Sequence, residues 1–511
     1  MVTLHKTMAF FCFSASAFLL VFVAPSNSIQ GQETESENPF DQEPVQLPEE
    51  AEGNTPATNN GKTTSQPANE AVLAAIAREI GELIPSDGDL DSSIVSKLRE
   101  AAVAYRGQNM DDVLKVFEEL KADSPQLPPA EIMIASLHFG ARRNELGFQA
   151  LEAAAKKAPG YPGVYFAFGR MALNQNRLTD AGALAEKGGK IFQKGNFTEV
   201  ETNHFRRQYY QIMTLVALRQ ERLDDAMQLS DSFQKIAPDD TGSLALAAEV
   251  ACGNGETEKS LEFLRRIRAN DPNLRAPELI VAGWCNKLGR IEESTNLMRK
   301  AGSQYPDDIA TQIAFANWAV STEEFELAMA AVKKVEGSKQ EETEATLWIK
   351  GQVAFAQGDY LAAERKLEKL FARNQGAEIA HQYALCMIEN PDGEKKYLAQ
   401  KFAEQNLKTA PNNQRALAAV GWMLYRRGEK KNSESYFLQA TKGKNMAPET
   451  AYYLAHLFAE RRDNENALAL LKQAVSKKGY FMYRQPANEL LNEVSAKLEE
   501  EQGQALPAPT G

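Results

Sequence analysis

Small residues recur at a spacing of 34 along most of the 511-residue chain, and no other feature constrains the fold so strongly. The steps along one column of small residues are 34, 45, 34, 34, 34, 35, 36, 34 and 34, and its members are Gly147, Ala181, Ala226, Ser260, Ser294, Ala328, Ala363, Ala399, Ser433 and Ala467. The members of a second column, twelve residues earlier, are Ala101, Ala135, Gly169, Thr214, Ala248, Ala282, Ala316, Gly351, Gly421 and Ala455, with Ala384 joining after a short insertion. This period is typical of stacked helix-turn-helix hairpins.

Residues 344–375 show the pattern within one repeat. Leu347, Gly351 and Phe355 are spaced by four residues, as on one face of a helix. A turn follows at residues 357–359, and an apolar stripe resumes at Ala363. Because two helices approach closely only where their side chains are small, we expect Gly351 and Ala363 to mark the crossing of the hairpin.

The N-terminus has the pattern of a secretory signal peptide, residues 1–28. Lys6 precedes an uncharged, mostly apolar run from Met8 to Ala24, and the small residues Ser26 and Ser28 follow before a possible cleavage site. An uncleaved membrane anchor is the alternative, since a run of this length is at the short limit for a membrane span. We therefore expect an exported protein, periplasmic or extracellular.

The remaining chain divides by composition and pattern. Residues 29–67 are acidic and rich in Pro, Gln and Thr, which predicts a disordered spacer. A helix and linker (68–93), the repeats (94–479), a capping helix (480–501) and a disordered tail (502–511) are predicted to follow. The 45-residue step implies an insertion near 192–205, which we expect to project from the stack as a loop.

Charge and chemistry exclude several classes of function. The formal net charge is −12, mostly contributed by the spacer, so the repeats lack the basic stripe of a nucleic-acid-binding surface. The histidines show no metal-ligand spacing and no nucleophile motif occurs, which predicts no metal, no cofactor and no catalytic residues. Cys252, Cys285 and Cys386 are expected as small core residues, although a bridge between Cys252 and Cys285 in adjacent repeats remains open.

Residues 128–159, 275–306 and 448–479 match a pattern with small residues at repeat positions 8, 20 and 27 and large apolar residues at positions 4, 7, 11 and 24. This pattern resembles that of the tetratricopeptide repeat family, with about eleven candidate repeats. The resemblance implies an all-α, right-handed superhelical solenoid. It also implies that the first helices line a concave groove for an extended peptide or a partner helix.

Repeat positions 5, 9, 12 and 13 face the groove in that family. In the C-terminal repeats the corresponding residues are Trp348, Gln352, Phe355, His381, Trp422, Tyr425, Arg426, Tyr452 and His456. Equivalent places in the N-terminal half hold Phe166, Arg170, Gln211 and Arg219. Aromatic and arginine side chains commonly anchor interfaces, but packing between repeats is the alternative role for this set.

These observations together predict a non-enzymatic scaffold that binds a protein or peptide partner, in assembly of the cell envelope. A scaffold for polysaccharide export or cell-wall assembly is the alternative, and an enzyme with an unrecognised site is a third possibility.

Overall fold

The computed structural model describes residues 92–339, 341–442 and 446–504, and these residues contain no β-strand. They form α-helices joined by short turns, as the period predicts. The predicted signal peptide, the spacer, the preceding helix and all but the end of its linker lie outside the described residues, as does the tail from residue 505. Among the described helices, none has the length and apolar composition that crossing a membrane requires.

The chain divides into an N-terminal unit, Met1–Ser294, and a C-terminal unit, Thr295–Gly511. The helices up to this division are α1 (Ser92–Arg106), α2 (Met110–Asp123), α3 (Ala130–Gly140), α4 (Asn144–Lys157), α5 (Pro162–Asn174), α6 (Leu178–Lys194), α7 (Glu199–Arg219), α8 (Leu223–Ile236), α9 (Thr241–Gly253), α10 (Thr257–Asn270), α11 (Pro277–Lys287) and α12 (Ile291–Gln304), within which the division falls.

The helices of the C-terminal unit after α12 are α13 (Ile309–Ser321), α14 (Phe325–Lys339), α15 (Glu344–Ala356), α16 (Tyr360–Arg373), α17 (Ala377–Glu389), α18 (Gly393–Thr409), α19 (Gln414–Arg426), α20 (Lys430–Ala440), α21 (Pro448–Glu460), α22 (Asn464–Ser476) and α23 (Arg484–Gln504).

Helices α1 to α10 and α13 to α22 pair in order, and a hydrogen bond from Ser294 on α12 to Ala282 on α11 joins one further pair. The described residues therefore contain eleven helix pairs, the number that the sequence predicts. Within each unit the first helix of a hairpin also contacts the first helix of the next, as α5, α7, α9 and α11 do. The first helices therefore form one layer and the second helices another. This is the all-α solenoid arrangement expected from the 34-residue period.

The two columns of small residues meet where the helices of a hairpin cross, as predicted. Ser260 Oγ donates a hydrogen bond to the carbonyl oxygen of Ala248 (2.7 Å), and Ser294 Oγ donates to that of Ala282 (2.8 Å). Each pair joins residues twelve apart, one from each column. Ala248 and Ala282 are both fully buried, so a larger side chain at either position has no free space to enter.

Glycine is required at some crossings because a large side chain of the second helix lies directly against the backbone of the first. A Cβ atom at Gly351 would lie 2.9 Å from the side chain of Leu367, and one at Gly421 would lie 2.8 Å from Phe437. Both distances are shorter than ordinary contacts, so even alanine would force the neighbouring side chain to move.

The turns of ten hairpins among the described residues each hold one residue in the left-handed conformation, seven residues after the first-helix column, and the turn between α17 and α18 holds none. These residues are Gln108, Arg142, Asn176, Glu221, Gly255, Gly289, Glu323, Gly358, Gly428 and Arg462. At Gly358 (φ 79°) the following residue, Asp359, donates its N–H to the carbonyl oxygen of Ala354 and caps α16 with its side chain. The turn therefore satisfies helix-end groups on both sides at once.

The prediction that residues 192–205 project from the stack as a loop was wrong. Helix α6 runs on to Lys194 and α7 begins at Glu199, so the additional residues lengthen two helices and leave a loop of residues 195–198. Phe192 and Phe205 are buried, and the rings of Phe197 and Phe205 are 5.1 Å apart. The inserted segment packs because its aromatic side chains bury apolar surface that a projecting loop would expose.

The C-terminal boundaries also differ from those predicted. The final helix begins at Arg484 and not at residue 480, and it continues to Gln504 through the first residues of the predicted disordered tail. It packs on α22, with Val494 buried and Asn464 Nδ2 donating to Glu501 Oε1 (2.9 Å). Helix α23 therefore covers α22 as a cap, but the residues before it are not helical.

Replacing Ala248 by Leu should lower the free energy of unfolding by about 1–3 kcal/mol, because the larger side chain overpacks a closed crossing. Urea denaturation followed by circular dichroism measures the change. The matched control is Ala183→Leu, at an exposed position of α6. If the two variants have the same stability, the assignment of Ala248 to the crossing is wrong.

Replacing Gly358 by Ala should destabilise the protein by about 1–2 kcal/mol, because the left-handed conformation brings Cβ close to the following carbonyl oxygen. A Cβ at Gly358 meets no other atom within 4 Å, so the effect isolates the backbone. At Gly337, exposed inside α14 and equally open, the same change should stabilise by about 0.5–1 kcal/mol. In thermal denaturation, the melting temperature should fall for Gly358→Ala and rise for Gly337→Ala. A change of the same sign in both variants would contradict the turn geometry.

Candidate binding face

The residues predicted to line a groove in the C-terminal repeats come together on the first-helix layer. The ring of Trp422 is central: its centroid lies 5.5 Å from that of Tyr425, 5.8 Å from Tyr452 and 5.4 Å from His456. The guanidinium of Arg426 lies 5.2 Å from the centroid of the Trp422 ring. These five side chains are therefore neighbours on the first-helix layer.

The chain itself occupies this face. Residues 477–483, between α22 and α23, run back across the first helices, and we call them the return segment. Tyr480 OH donates a hydrogen bond to the carbonyl oxygen of Gln352 (3.0 Å), 128 residues away, and Tyr483 OH donates to Glu389 Oε1 (3.3 Å). The return segment thus contacts α15 and α17, which lie several repeats before it.

Aromatic packing holds the return segment in place. The ring of Tyr483 makes an edge contact with Phe355 (5.1 Å between centroids) and stacks on Tyr452 (5.0 Å). The ring of Phe481 also contacts Tyr452, at 6.3 Å. Phe481, Met482 and Tyr483 are each only 1% exposed. These three side chains are therefore part of the core of the C-terminal unit.

Arg484, the first residue of α23, fixes the return segment at its end. Its guanidinium donates to the carbonyl oxygens of Val475 (2.8 Å), Lys477 (3.0 Å) and Gly479 (2.6 Å). It also forms an ion pair with Glu323, in the turn between α13 and α14. One side chain therefore closes the turn that begins the return segment and ties it to a distant repeat.

The nine predicted groove residues now divide by exposure. Buried are Gln352, Phe355, His381, Trp422 and Tyr452, and partly buried are Trp348, Tyr425, Arg426 and His456. Their role in binding an external partner stays a prediction, and a partner would have to displace the return segment to reach Phe355 or Tyr452. The missed signal was the run Tyr480-Phe481-Met482-Tyr483, too apolar for the exposed side of a cap.

Burial controls the protonation of the groups on this face. It raises the pKa of the Glu389 carboxyl, while the Arg426 guanidinium (2.7 Å from Oε2) acts against that shift. Burial, assisted by the nearby charge of Arg415, lowers the pKa of His381 to about 3. His381 is therefore neutral at physiological pH and contributes packing without charge.

A cavity of about 260 Å³ lies beside α16 and α17, where two buried carboxylates, Glu364 and Glu389, face Cys386. Glu364 accepts a hydrogen bond from Asn390 Nδ2 (2.8 Å) and pairs with Lys395. Glu389 pairs with Arg426. Both carboxylates already have partners, and the described residues contain no group of three His, Cys, Asp or Glu side chains able to hold a metal ion.

The first-helix layer of the N-terminal unit carries polar groups in corresponding places. Arg170 Nη1 on α5 donates to Gln208 Oε1 on α7 (3.2 Å), and Arg219 Nη1 donates to the carbonyl oxygen of Leu173 (2.6 Å). These bonds link adjacent first helices across the layer. The face here carries charged and amide side chains beside Phe166, which is fully buried, whereas the C-terminal face is mainly aromatic.

Further along this face, Glu249 on α9 is partly buried, and its Oε2 has no hydrogen-bond partner among the described residues. Burial raises the pKa of its carboxyl, and the charges of Lys287 and Arg219 act in the opposite direction. Arg219 and Lys287 are exposed. We call Arg170, Arg219 and Lys287 the cationic set of the N-terminal face.

Replacing Phe481 by Ala should destabilise the C-terminal unit by about 3–5 kcal/mol, because a buried aromatic side chain leaves a cavity. Hydrogen exchange should accelerate in α19 and α21, which contact the return segment. The control is Leu438→Ala, where the side chain is 62% exposed and the change should stay within about 0.5 kcal/mol. Equal exchange rates in the two variants would show that the return segment does not support these helices.

No family model matches the sequence, and no curated protein matches it. Solved structures resemble it at low identity. A tetratricopeptide repeat protein from Parabacteroides merdae has a TM-score of 0.38 and 14% identity, and the match covers 50% of this chain and 98% of that one. The P58(IPK) TPR domain has a TM-score of 0.25 and 15% identity, covering 75% and 99%.

YrrB, a TPR protein described as having an unusual peptide-binding site, has a TM-score of 0.25 and 20% identity, and the match covers 39% of this chain and 97% of that one. The assignment of the fold depends on the geometry of this chain itself. Its hairpins recur at about 34 residues and cross at paired small residues, and ten of their turns hold a left-handed residue. The chain therefore has the fold of a tetratricopeptide-repeat-like, all-α solenoid.

Proposed function

We propose that this protein is a non-enzymatic, exported scaffold that binds an extended, acidic segment of a partner protein on the first-helix face of its N-terminal unit. The observation that carries the proposal is the return segment. It occupies the equivalent face of the C-terminal unit, whereas on the N-terminal face Arg219 and Lys287 of the cationic set are exposed among the described residues.

The return segment also indicates how this kind of face holds an extended chain. It is bound by a tyrosine hydroxyl on a helix carbonyl oxygen, by a second tyrosine hydroxyl on a carboxylate and by stacked rings. A partner segment on the N-terminal unit would also contact first helices, but these carry different side chains from those of the C-terminal unit. Arginine side chains there can bind partner carboxylates through paired hydrogen bonds.

Charge favours an acidic partner segment. The cationic set contributes three positive charges to this face, on a protein whose formal net charge is −12. Two of these charges, on Arg219 and Lys287, act on Glu249. Such a local reversal of sign attracts acidic groups and repels basic ones, which gives selectivity and faster association. The partly desolvated Glu249 would add a contact for a lysine or arginine of the same segment.

The proposed location of the protein is supported by the sequence of its N-terminus. The signal-like residues 1–28 and the acidic spacer after them support export, periplasmic or extracellular, with the repeats held away from a membrane if the leader stays uncleaved. Assembly of other exported proteins of the cell envelope is the role we propose. A scaffold for polysaccharide export or cell-wall assembly is distinguished from it by the captured ligand.

The test begins with crosslinking in the native host and identification of the captured molecule, whose binding to purified variants is then measured. Replacing Arg170, Arg219 and Lys287 together by Gln should weaken binding of a protein partner at least about tenfold, which corresponds to about 1.4 kcal/mol. Calorimetry measures the affinity, and circular dichroism shows that the variant remains folded.

The matched control replaces three exposed lysines of second helices, Lys115, Lys190 and Lys235, by Gln, which removes the same charge from the opposite layer. This control should retain its affinity within about twofold. Equal weakening in both variants would assign the effect to net charge and not to the proposed face. Capture of polysaccharide alone would favour the cell-wall role.

A further inference from the structure

Two cysteines lie side by side inside the N-terminal unit. The Sγ atoms of Cys252 on α9 and Cys285 on α11 are 3.9 Å apart, and both side chains are fully buried. The two helices are the first helices of adjacent hairpins and contact each other. A disulfide requires an S–S distance of about 2.05 Å, so the two sulfur atoms must approach by roughly 1.9 Å, within the range of side-chain rotation.

The surroundings hold the two helices in this arrangement. Arg290, just after α11, donates Nη1 to the carbonyl oxygen of Cys252 (2.6 Å) and Nη2 to the sulfur of Cys285 (3.2 Å). It also forms an ion pair with Glu293 (2.7 Å). The backbone of one cysteine and the sulfur of the other are therefore fixed to one guanidinium group, which limits how far the pair can separate.

We propose that Cys252 and Cys285 form a disulfide that joins two adjacent repeats. In the reaction the two thiols lose two protons and two electrons and form one S–S bond. The oxidant is another disulfide, a small molecule such as glutathione disulfide or a thiol–disulfide oxidoreductase, and it is reduced to two thiols. The pairing is a property of the two side chains, and only its formation in the cell rests on the proposed export, since disulfides persist in oxidising compartments.

The bond should form during folding, before the site closes. Burial in the folded protein raises the pKa of the Cys252 thiol to about 12, and burial also raises that of Cys285. Because the thiolate is the reactive form, the folded and reduced pair reacts slowly. Cys386 lies on α17 in the C-terminal unit, where it is fully buried and is the one described cysteine, and it therefore serves as an internal reference.

The experiment refolds the full chain in a mixture of oxidised and reduced glutathione, then denatures it and alkylates the remaining thiols without reduction. Peptide mapping should find the segments containing Cys252 and Cys285 linked and lighter by two hydrogen atoms, with Cys386 alkylated. Complete alkylation of Cys252 and Cys285, or linkage of either one to a different cysteine, would overturn the proposal.

Two variants distinguish the effect of the Cys252–Cys285 bond from the effect of removing any cysteine. Oxidation should raise the melting temperature by several degrees in Cys386→Ala, as in the natural chain, because the bond closes a loop of about 34 residues in the unfolded state. The shift should be absent in Cys252→Ala. If Cys386→Ala shows no shift, the bond does not stabilise the two repeats and that part of the proposal is wrong.

A separate sample, prepared from the native host, tests whether the disulfide forms in the cell. Thiols are trapped by alkylation on lysis of the native host, and the same peptides are mapped. A bond that forms in the refolded protein but is missing in the trapped sample would contradict export to an oxidising compartment while leaving the pairing intact. The two failures are thus distinguishable.

Discussion

Close contact between the two helices of each hairpin is the constraint from which the rest of the structure follows. At the crossing a small residue of the first helix meets a small residue of the second, and serine hydroxyls at two crossings bond to the opposite backbone. Only small side chains allow such an approach. Because close crossings of this kind recur along the chain, residues at equal places in successive repeats fall on a common face.

The layer of first helices has a different character in each unit. In the C-terminal unit large rings such as Trp422 and Tyr452 would expose much apolar surface, and the return segment removes it from water through Phe481, Met482 and Tyr483. In the N-terminal unit some of the equivalent places carry charged side chains, and among the described residues Arg219 and Lys287 are exposed. The aromatic set therefore serves stability first, and the cationic set is the better basis for binding.

The turns show that the repeats tolerate backbone strain. Six of the ten left-handed turn residues are not glycine, and each such residue carries backbone strain of about 1 kcal/mol or more. The strain persists because the turn links two helices whose crossing is already fixed by packing. The pattern of glycine in the turns is consequently irregular, whereas the pattern of small residues at the crossings is regular, and only the latter was visible as a period.

The sequence by itself determined the fold class, the number of hairpins and the register of the crossings, because these depend on contacts between residues about twelve apart in the chain. It also placed Trp422, Tyr425, Tyr452 and His456 beside one another, since equal repeat positions share a face. Only the tertiary structure decided that the chain fills this face itself, that the insertion lengthens α6 and α7, and that Cys252 and Cys285 adjoin. The contact between Tyr480 and Gln352 spans 128 residues. A local period carries no information about such contacts, because they depend on where the whole stack brings its ends.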